Sequence, residues 1–331
     1  MKTTLASEIT VGDFAPPTEQ MHADVIAGLG KRPRELPTRY LYDERGSQLF
    51  EKICESDEYY LTRTELEIMS RHAGEMAAVI GPRALLIEPG SGSGRKTQIL
   101  LEHLDRPAGY VPLDISADHL ERSAAKINEQ FPQLSIMPVC ADFFGDFEFP
   151  DFPSGAARRV VYFPGSTIGN MLPPNAVKLL ARMAGWCGAE AGLLIGVDLK
   201  KDRAVLEAAY DDAGGVSAEF ALNYLVRLNR ELHANFRLDK FDYAAPCNEA
   251  AGRIEMYLVS RCDQTVCIGD ARFHFTAGER IRTEWSYKYT LDEFAALAAQ
   301  AGLAVEKVWT DPHTMFSVQY LIQLGSGTNR R

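Results

Sequence analysis

Three strand ends in this chain of 331 residues carry side chains suited to a nucleoside ligand. The stretch LLIEPGSGSGRKT places Gly90, Gly92 and Gly94 where a strand turns into a helix, and the missing Cβ atoms let a ligand approach the backbone there. The spacing is G-x-G-x-G, with Arg95 where a dinucleotide fingerprint has its third glycine, so a plain tight turn stays open as an alternative. At the end of YVPLDIS, Asp114 can accept hydrogen bonds from both ribose hydroxyls of an adenosine. The alternative is a helix N-cap, for which Ser116 is better placed. In CADFF, Asp142 can accept from the adenine amino group while Phe143 packs on the ring, or Phe143 is simply core. NAD and S-adenosylmethionine both fit such a site.

The elements that must position these groups alternate from residue 84 onward. ALLIE, YVPLDI, LSIMPVCADF, RVVYFPG and GLLIGVD read as strands, and helices are expected at about 95–104, 117–130 and 174–186. Short apolar runs alternating with amphipathic helices predict a doubly wound α/β core, a mostly parallel sheet covered on both faces. After Asp198 the pattern changes to the polar helical run DRAVLEAAYDDAGGVSAEFALNYLVRLNRELHA and then to strands in RIEMYLVSR and ARFHFTAGERIRTEWSYKY. LDEFAALAAQAG reads as a helix ended by Gly302, and VEKVWTD and FSVQYLIQL read as a terminal hairpin around PHTM. Residues 63–201 and 289–325 are therefore assigned to a core domain, and 1–62 with 202–288 to a second α+β lobe. A hairpin that inserts a seventh strand resembles the topology of class I, Rossmann-like methyltransferases, which favours S-adenosylmethionine over NAD.

Composition narrows the partners. Hydrophobic residues make up 46% and charged residues 24%, values of a globular protein. A formal net charge of −10 argues against nucleic acid or an anionic membrane and for a small-molecule substrate. A monomer is expected. Cys54, Cys140, Cys187, Cys247, Cys262 and Cys267 lack the paired short spacings of a zinc site and read as reduced thiols, so no metal is expected. The N-terminus lacks a secretory pattern and no apolar run reaches the ~18 residues of a membrane span, so a cytoplasmic protein is expected.

Further stretches are distinctive in combination: YDERGSQLFEKI from Tyr42, EYYLTRTE from Glu58, FPGSTIGN from Phe163, DLKKD from Asp198, AAYDDAGGVSAEF from Ala208, RIEMYL from Arg253 and RTEWSYKY from Arg282. Together, over nearly the whole chain, they resemble the histidine-specific methyltransferase family of the ergothioneine pathway. The resemblance implies three successive methyl transfers from S-adenosylmethionine to the α-amine of L-histidine, giving the betaine hercynine, with substrate held between two lobes. It implies cofactor contacts at Tyr42, Gly90, Lys96, Asp114, Asp142 and Phe143, and substrate contacts at Tyr59, Gly165, Asn170, Tyr210, Met256, Glu284 and Ser286. In the family the acidic residue and serine of T-E-x-S, here Glu284 and Ser286, hold the imidazole, while tyrosines and the asparagine hold the amino-acid backbone. The departures are Pro89, where leucine is expected, and Trp285 and Tyr287, which are bulkier than in some members and could reshape the pocket.

These residue types suit the chemistry. Methyl transfer is an in-line displacement, so a neutral amine must face the sulfonium methyl at near-contact distance, and positioning is the main task. The sulfonium loses its charge in the transition state, so neutral phenols and an amide serve better than carboxylates around it. Tyr59, Asn170 and Gly165 stand as the groups at the reacting amine, with no single general base evident. A quaternary ammonium product needs aromatic walls, for which Phe50, Tyr59 and Tyr210 are candidates. Without the resemblance, EYY and AAYDD read as core packing, and Glu284 as a solvated carboxylate paired with Arg282 or Lys288. Lys200, Lys201 and Asp202 read as a surface hinge, and Asp211 with Asp212 as a helix cap. The competing functions are methylation of another amino acid such as a tryptophan derivative, an NAD-dependent dehydrogenase, and a nucleotide-binding module without activity.

Overall fold

A computed structural model describes residues 12–14, 18–92, 94–145, 147, 149, 151, 152, 155–188 and 192–325. The strands are β1 (Gly12–Phe14), β2 (Arg34–Glu35), β3 (Ala84–Pro89), β4 (Gly109–Asp114), β5 (Val139–Ala141), β6 (Arg158–Phe163), β7 (Gly192–Asp198), β8 (Phe241–Ala244), β9 (Cys247–Asn248), β10 (Arg253–Ser260), β11 (Gln264–Ile268), β12 (Ala271–Phe275), β13 (Arg280–Tyr287), β14 (Leu303–Thr310) and β15 (Phe316–Gln323). The helices are α1 (Thr18–Gly30), α2 (Glu44–Glu55), α3 (Tyr60–Ile80), α4 (Arg95–Leu101), α5 (Ala117–Gln130), α6 (Pro173–Cys187), α7 (Arg203–Tyr210), α8 (Val216–Glu231) and α9 (Leu291–Gln300).

The principal sheet runs β1-β5-β4-β3-β6-β7-β15-β14. Every pair is parallel except those made by β15, which lies antiparallel to β7 and β14. The seven expected strands, two of them the terminal hairpin, are present. An eighth, β1, pairs with β5, so residues 12–14 belong to the sheet rather than to the second lobe in which 1–62 was expected. The expected boundary at residue 62 also falls inside α3, a continuous helix that covers the sheet. Strands β3 and β7 are buried along their whole length because helices cover both faces. Along β3, Leu86 enters one apolar cluster, with α3, while Leu85 and Ile87 enter the other, with α6 and α9.

A second sheet has the order β2-β13-β10-β8, with β9 also on β10. Burial alternates along β10, as it must for a sheet with one covered face. The long polar helical run breaks at DDAGG because the Asp212 carboxylate accepts from Val216 N at 2.9 Å and Ser217 N at 2.7 Å, starting α8 afresh, and Gly215 takes a φ of 73°. The cap expected of the Asp211–Asp212 pair is thus made by Asp212. All six cysteines are free thiols.

Candidate functional site

The glycine turn between β3 and α4 is built from left-handed residues, with φ of 70° at Gly90, 50° at Gly92 and 72° at Gly94, so each position favours glycine on backbone grounds alone. Phe143 stands over this turn: a Cβ on Gly90 would lie 4.0 Å from its ring. Beneath it, Glu88 is fully enclosed and accepts from Thr97 Oγ1 at 2.6 Å and from the Tyr110 hydroxyl, and burial pushes its carboxyl up to about 7. One Asp114 oxygen accepts from Ser116 N at 3.1 Å and the other from Gly92 N at 3.4 Å. Each oxygen keeps a lone pair, so a diol can still be bound. Burial raises the Asp114 carboxyl. Ser116 does occupy the N-cap position of α5, but its side chain makes no capping bond. Asp142 accepts from Phe144 N at 2.9 Å and from Arg39 Nη1 at 2.6 Å, which fixes the carboxylate beside Phe143.

Lys96, on the first turn of α4, points to Glu65 of α3 at 2.5 Å. Glu65 is completely buried and also accepts from Gly165 N, at 2.9 Å from one oxygen and 3.1 Å from the other. The turn at Gly165 (φ 78°) is thereby tied to the cofactor-side helix, with Lys96 Nζ 3.5 Å from where a Gly165 Cβ would stand. Glu65 was not singled out in the sequence, although it is the last residue of EYYLTRTE.

On the far side of Gly165, a short helical turn over Thr167–Asn170 delivers Asn170, whose Nδ2 donates to Glu284 Oε1 at 2.8 Å. Glu284 is 6% exposed, and burial pushes its carboxyl up to about 8 against the pull of Lys288. This excludes the solvated strand carboxylate. Arg282 pairs instead with Glu35. Met256 on β10 is the direct cross-strand partner of Glu284. Two residues along β13, Ser286 Oγ lies 2.7 Å from the Tyr210 hydroxyl, and Lys288 Nζ donates to both, at 2.9 and 2.7 Å. Lys288 in turn meets Asp198 at 2.5 Å, and Asp198 accepts further from Tyr60 and Lys201. Lys201 is therefore no surface hinge residue. It is enclosed, and burial lowers its ammonium to about 8 despite Asp198. Lys200 is exposed on Glu293, and Asp202 caps α7 through Ala204 N at 2.8 Å.

Between the two sides lies an aromatic box. Ring centroids are 5.7 Å apart for Tyr42 and Phe50, 6.2 Å for Phe50 and Tyr59, 5.9 Å for Tyr59 and Tyr210, and 5.5 Å for Tyr42 and Phe220. Burial raises the phenols of Tyr42, Tyr59 and Tyr210, so they are neutral hydroxyls at ordinary pH. Phe220, the last residue of AAYDDAGGVSAEF, completes the box and was not named from sequence. Trp285 and Tyr287 face away from Glu284: Arg253 stacks 3.5 Å from the Trp285 ring centre and donates to the Tyr287 hydroxyl. Their bulk therefore lies outside the pocket. Among the described residues no group of three or more His, Cys, Asp or Glu could hold a metal ion, and no helix is long and apolar enough to cross a membrane.

The glycine turn at the strand ends thus lies on one side of an aromatic box, and an amide bonded to a buried carboxyl lies on the other. The model of the histidine-specific, S-adenosylmethionine-dependent methyltransferases matches residues 21–323. The chain belongs to that family. It is 38% identical over 310 residues to the histidine N-alpha-methyltransferase of Mycolicibacterium smegmatis, covering 92% of this chain and 95% of the relative. The Mycobacterium tuberculosis histidine N-alpha-methyltransferase is 40% identical over 296 residues, covering 88% and 91%. More distantly, a 4-dimethylallyltryptophan N-methyltransferase of Epichloe festucae var. lolii is 29% identical over 312 residues, covering 87% and 90%. A family defined by this fold and co-substrate removes the dehydrogenase reading, whose missing third glycine is replaced by Arg95 at the head of α4. The methyltransferase core binds S-adenosylmethionine and acts on a small molecule.

Proposed function

We propose that this protein methylates the α-amine of free L-histidine three times, releasing hercynine, in the cytoplasm and as a monomer. The observation that carries the reading is the enclosed Glu284 carboxyl beside Ser286, with Asn170 and Met256 around it. A hydrocarbon side chain would leave such a carboxyl short of a polar partner, which costs about 1–3 kcal/mol. An imidazole supplies one N–H and one lone pair to the pair of side chains.

In this reading Asp114 holds the ribose, Asp142 and Phe143 hold the adenine, and Gly90, Lys96 and Tyr42 border the rest of the S-adenosylmethionine. Asn170, Tyr59 and the Gly165 turn orient the amino-acid backbone, and the substrate lobe comprises the second sheet with α1, α2, α7 and α8. The amine lone pair attacks the methyl carbon, the carbon–sulfur bond breaks, and S-adenosylhomocysteine leaves with the electron pair. The α-ammonium of histidine gives up one proton to solvent before the first transfer, the methylated nitrogen gives up another after each of the first two transfers, and the third leaves a quaternary nitrogen with no proton to lose. The box of Tyr42, Phe50, Tyr59, Tyr210 and Phe220 suits that growing cation through its ring faces. Incubation with labelled S-adenosylmethionine and each of the twenty amino acids in turn tests the reading. Label transfer to histidine alone supports it, and transfer to a tryptophan-like substrate with histidine inert would replace it.

A further inference from the structure

Lys288 is 2% exposed, and an ammonium has three N–H bonds. All three are taken: Asp198 at 2.5 Å, the Tyr210 hydroxyl at 2.7 Å and Ser286 Oγ at 2.9 Å. Asp198 cannot withdraw, because Tyr60 and Lys201 also donate to it. The two hydroxyls lie 2.7 Å from each other, so each accepts from Lys288 and one donates to the other. A phenol is the stronger acid and the weaker acceptor, and the neighbouring ammonium sharpens that difference, so Tyr210 donates to Ser286. Both Ser286 lone pairs are then filled, and its own proton is the one left over for the pocket. Without Lys288 one lone pair would be free and Ser286 could turn to accept instead.

We propose that Lys288 is a specificity-setting positioning residue, which makes Ser286 an obligate proton donor beside Glu284 and so selects a neutral azole that offers one ring lone pair and one N–H. The proposal rests on the reading of this pocket as the histidine site. It also explains why a lysine is buried here at all. A cation enclosed with a single carboxylate is a poor source of stability compared with apolar packing, whereas a cation with three fixed acceptors sets the direction of every hydrogen bond it touches.

Calorimetric titration of the full chain saturated with S-adenosylhomocysteine tests this with three ligands: histidine, pyrrolylalanine (ring N–H, no ring lone pair) and thiazolylalanine (ring lone pair, no N–H). The wild type should prefer histidine to pyrrolylalanine by about ten-fold or more, the size expected for a donor left unpaired. Lys288→Met should bring that ratio towards one while the histidine-to-thiazolylalanine ratio, which reports on Glu284, holds. Ser286→Ala, which leaves the Lys288–Asp198 pair in place, should collapse the same ratio and carries the test if Lys288→Met does not fold. Equal weakening of all three ligands by Lys288→Met, or an unchanged histidine-to-pyrrolylalanine ratio in Ser286→Ala, would overturn the role given to Lys288 and leave the histidine site standing. Binding of S-adenosylhomocysteine with no binding of histidine by the wild type would instead overturn the site, and this inference with it.

Discussion

Asn170 Nδ2 donates to Glu284 Oε1 at 2.8 Å, joining the loop after β6 of the principal sheet to β13 of the second. The bond spans 114 residues of sequence and leaves the Asn170 amide oxygen free to accept from a substrate amine. Asn170→Ala should therefore lower histidine turnover while keeping S-adenosylhomocysteine affinity within a few fold, measured by steady-state kinetics and calorimetry on the same preparation. An equal loss of cofactor binding would move Asn170 out of the acceptor side.

Asp114→Ala should weaken S-adenosylmethionine binding by about 1.5–3 kcal/mol, the range for hydrogen bonds to a charged group. The two Asp114 oxygens also organise the Gly92 and Ser116 amides, so the variant should loosen the turn as well as remove the proposed ribose contact. Cofactor affinity unchanged in a folded Asp114→Ala protein would remove the ribose assignment.

Much of this was readable in the sequence, and the rest failed for identifiable reasons. Asp114, Asp142 and Phe143 sit at the ends of apolar runs, where a parallel sheet always presents its ligands, so their placement follows from strand order alone. Glu284 and Ser286 carry no such signal, and only the family motif drew them out. Lys201 looked solvated because its neighbours Lys200 and Asp202 are charged. Its burial depends on Tyr60, 141 residues away, which no local pattern can reveal. Phe220 and Glu65 read as ordinary helix residues for the same reason. The three-residue β1 is too short for any periodicity, and it forms because β5 leaves an open edge to pair with.

The aromatic box predicts a product distribution. Phe220 lies 5.5 Å from Tyr42 and 6.1 Å from Phe50 between ring centres, closing one side of the box. Replacement by leucine keeps the wall apolar but removes a ring face, worth about 0.5–2 kcal/mol to a cation. Phe220→Leu should slow the third transfer more than the first, so mono- and dimethylhistidine accumulate in a mass-spectrometric time course. A product ratio identical to wild type would show that Phe220 only packs.

Stability should fall with rising pH through Glu284. Its carboxyl stands at about 8 in the folded protein against an ordinary value of 4.5, so the unfolded chain gives up this proton first. The group contributes fully below about pH 4.5, and its contribution is lost progressively as pH rises to about 8, beyond which the cost is constant. Glu284→Gln removes the titration and should flatten the stability profile across that window by on the order of a few kcal/mol, read from denaturant unfolding of the ligand-free protein. Because Glu88 is pushed up to about 7 by its own burial, a shallower decline must remain in the variant. Parallel profiles for wild type and Glu284→Gln would mean that the Glu284 carboxyl is not held neutral.

In the proposed function Glu284 also decides which side chain the pocket accepts. Its carboxyl is enclosed by Asn170 in front and Met256 across the strand pair, so any ring entering beside Ser286 must meet it. Removing it with Glu284→Ala does two things at once: it deletes the partner of the imidazole N–H, and it opens space where a larger ring can sit without stranding a buried acid. The histidine Michaelis constant should rise by up to about a hundred-fold, corresponding to about 1–3 kcal/mol for a buried imidazole N–H left without its acceptor. Tryptophan turnover should appear or increase in the same variant, because the polar group that excluded an apolar ring has gone. Glu284→Gln keeps an acceptor oxygen and nearly the same volume, so it should retain more histidine activity than the alanine variant and admit less tryptophan. The ordering across the three proteins, measured as the ratio of kcat/KM for histidine to that for tryptophan, should run wild type, then glutamine, then alanine. Wild-type histidine efficiency in Glu284→Ala, with wild-type discrimination against tryptophan, would detach the imidazole from this carboxyl and leave the choice of histidine over its relatives to be made elsewhere in the pocket.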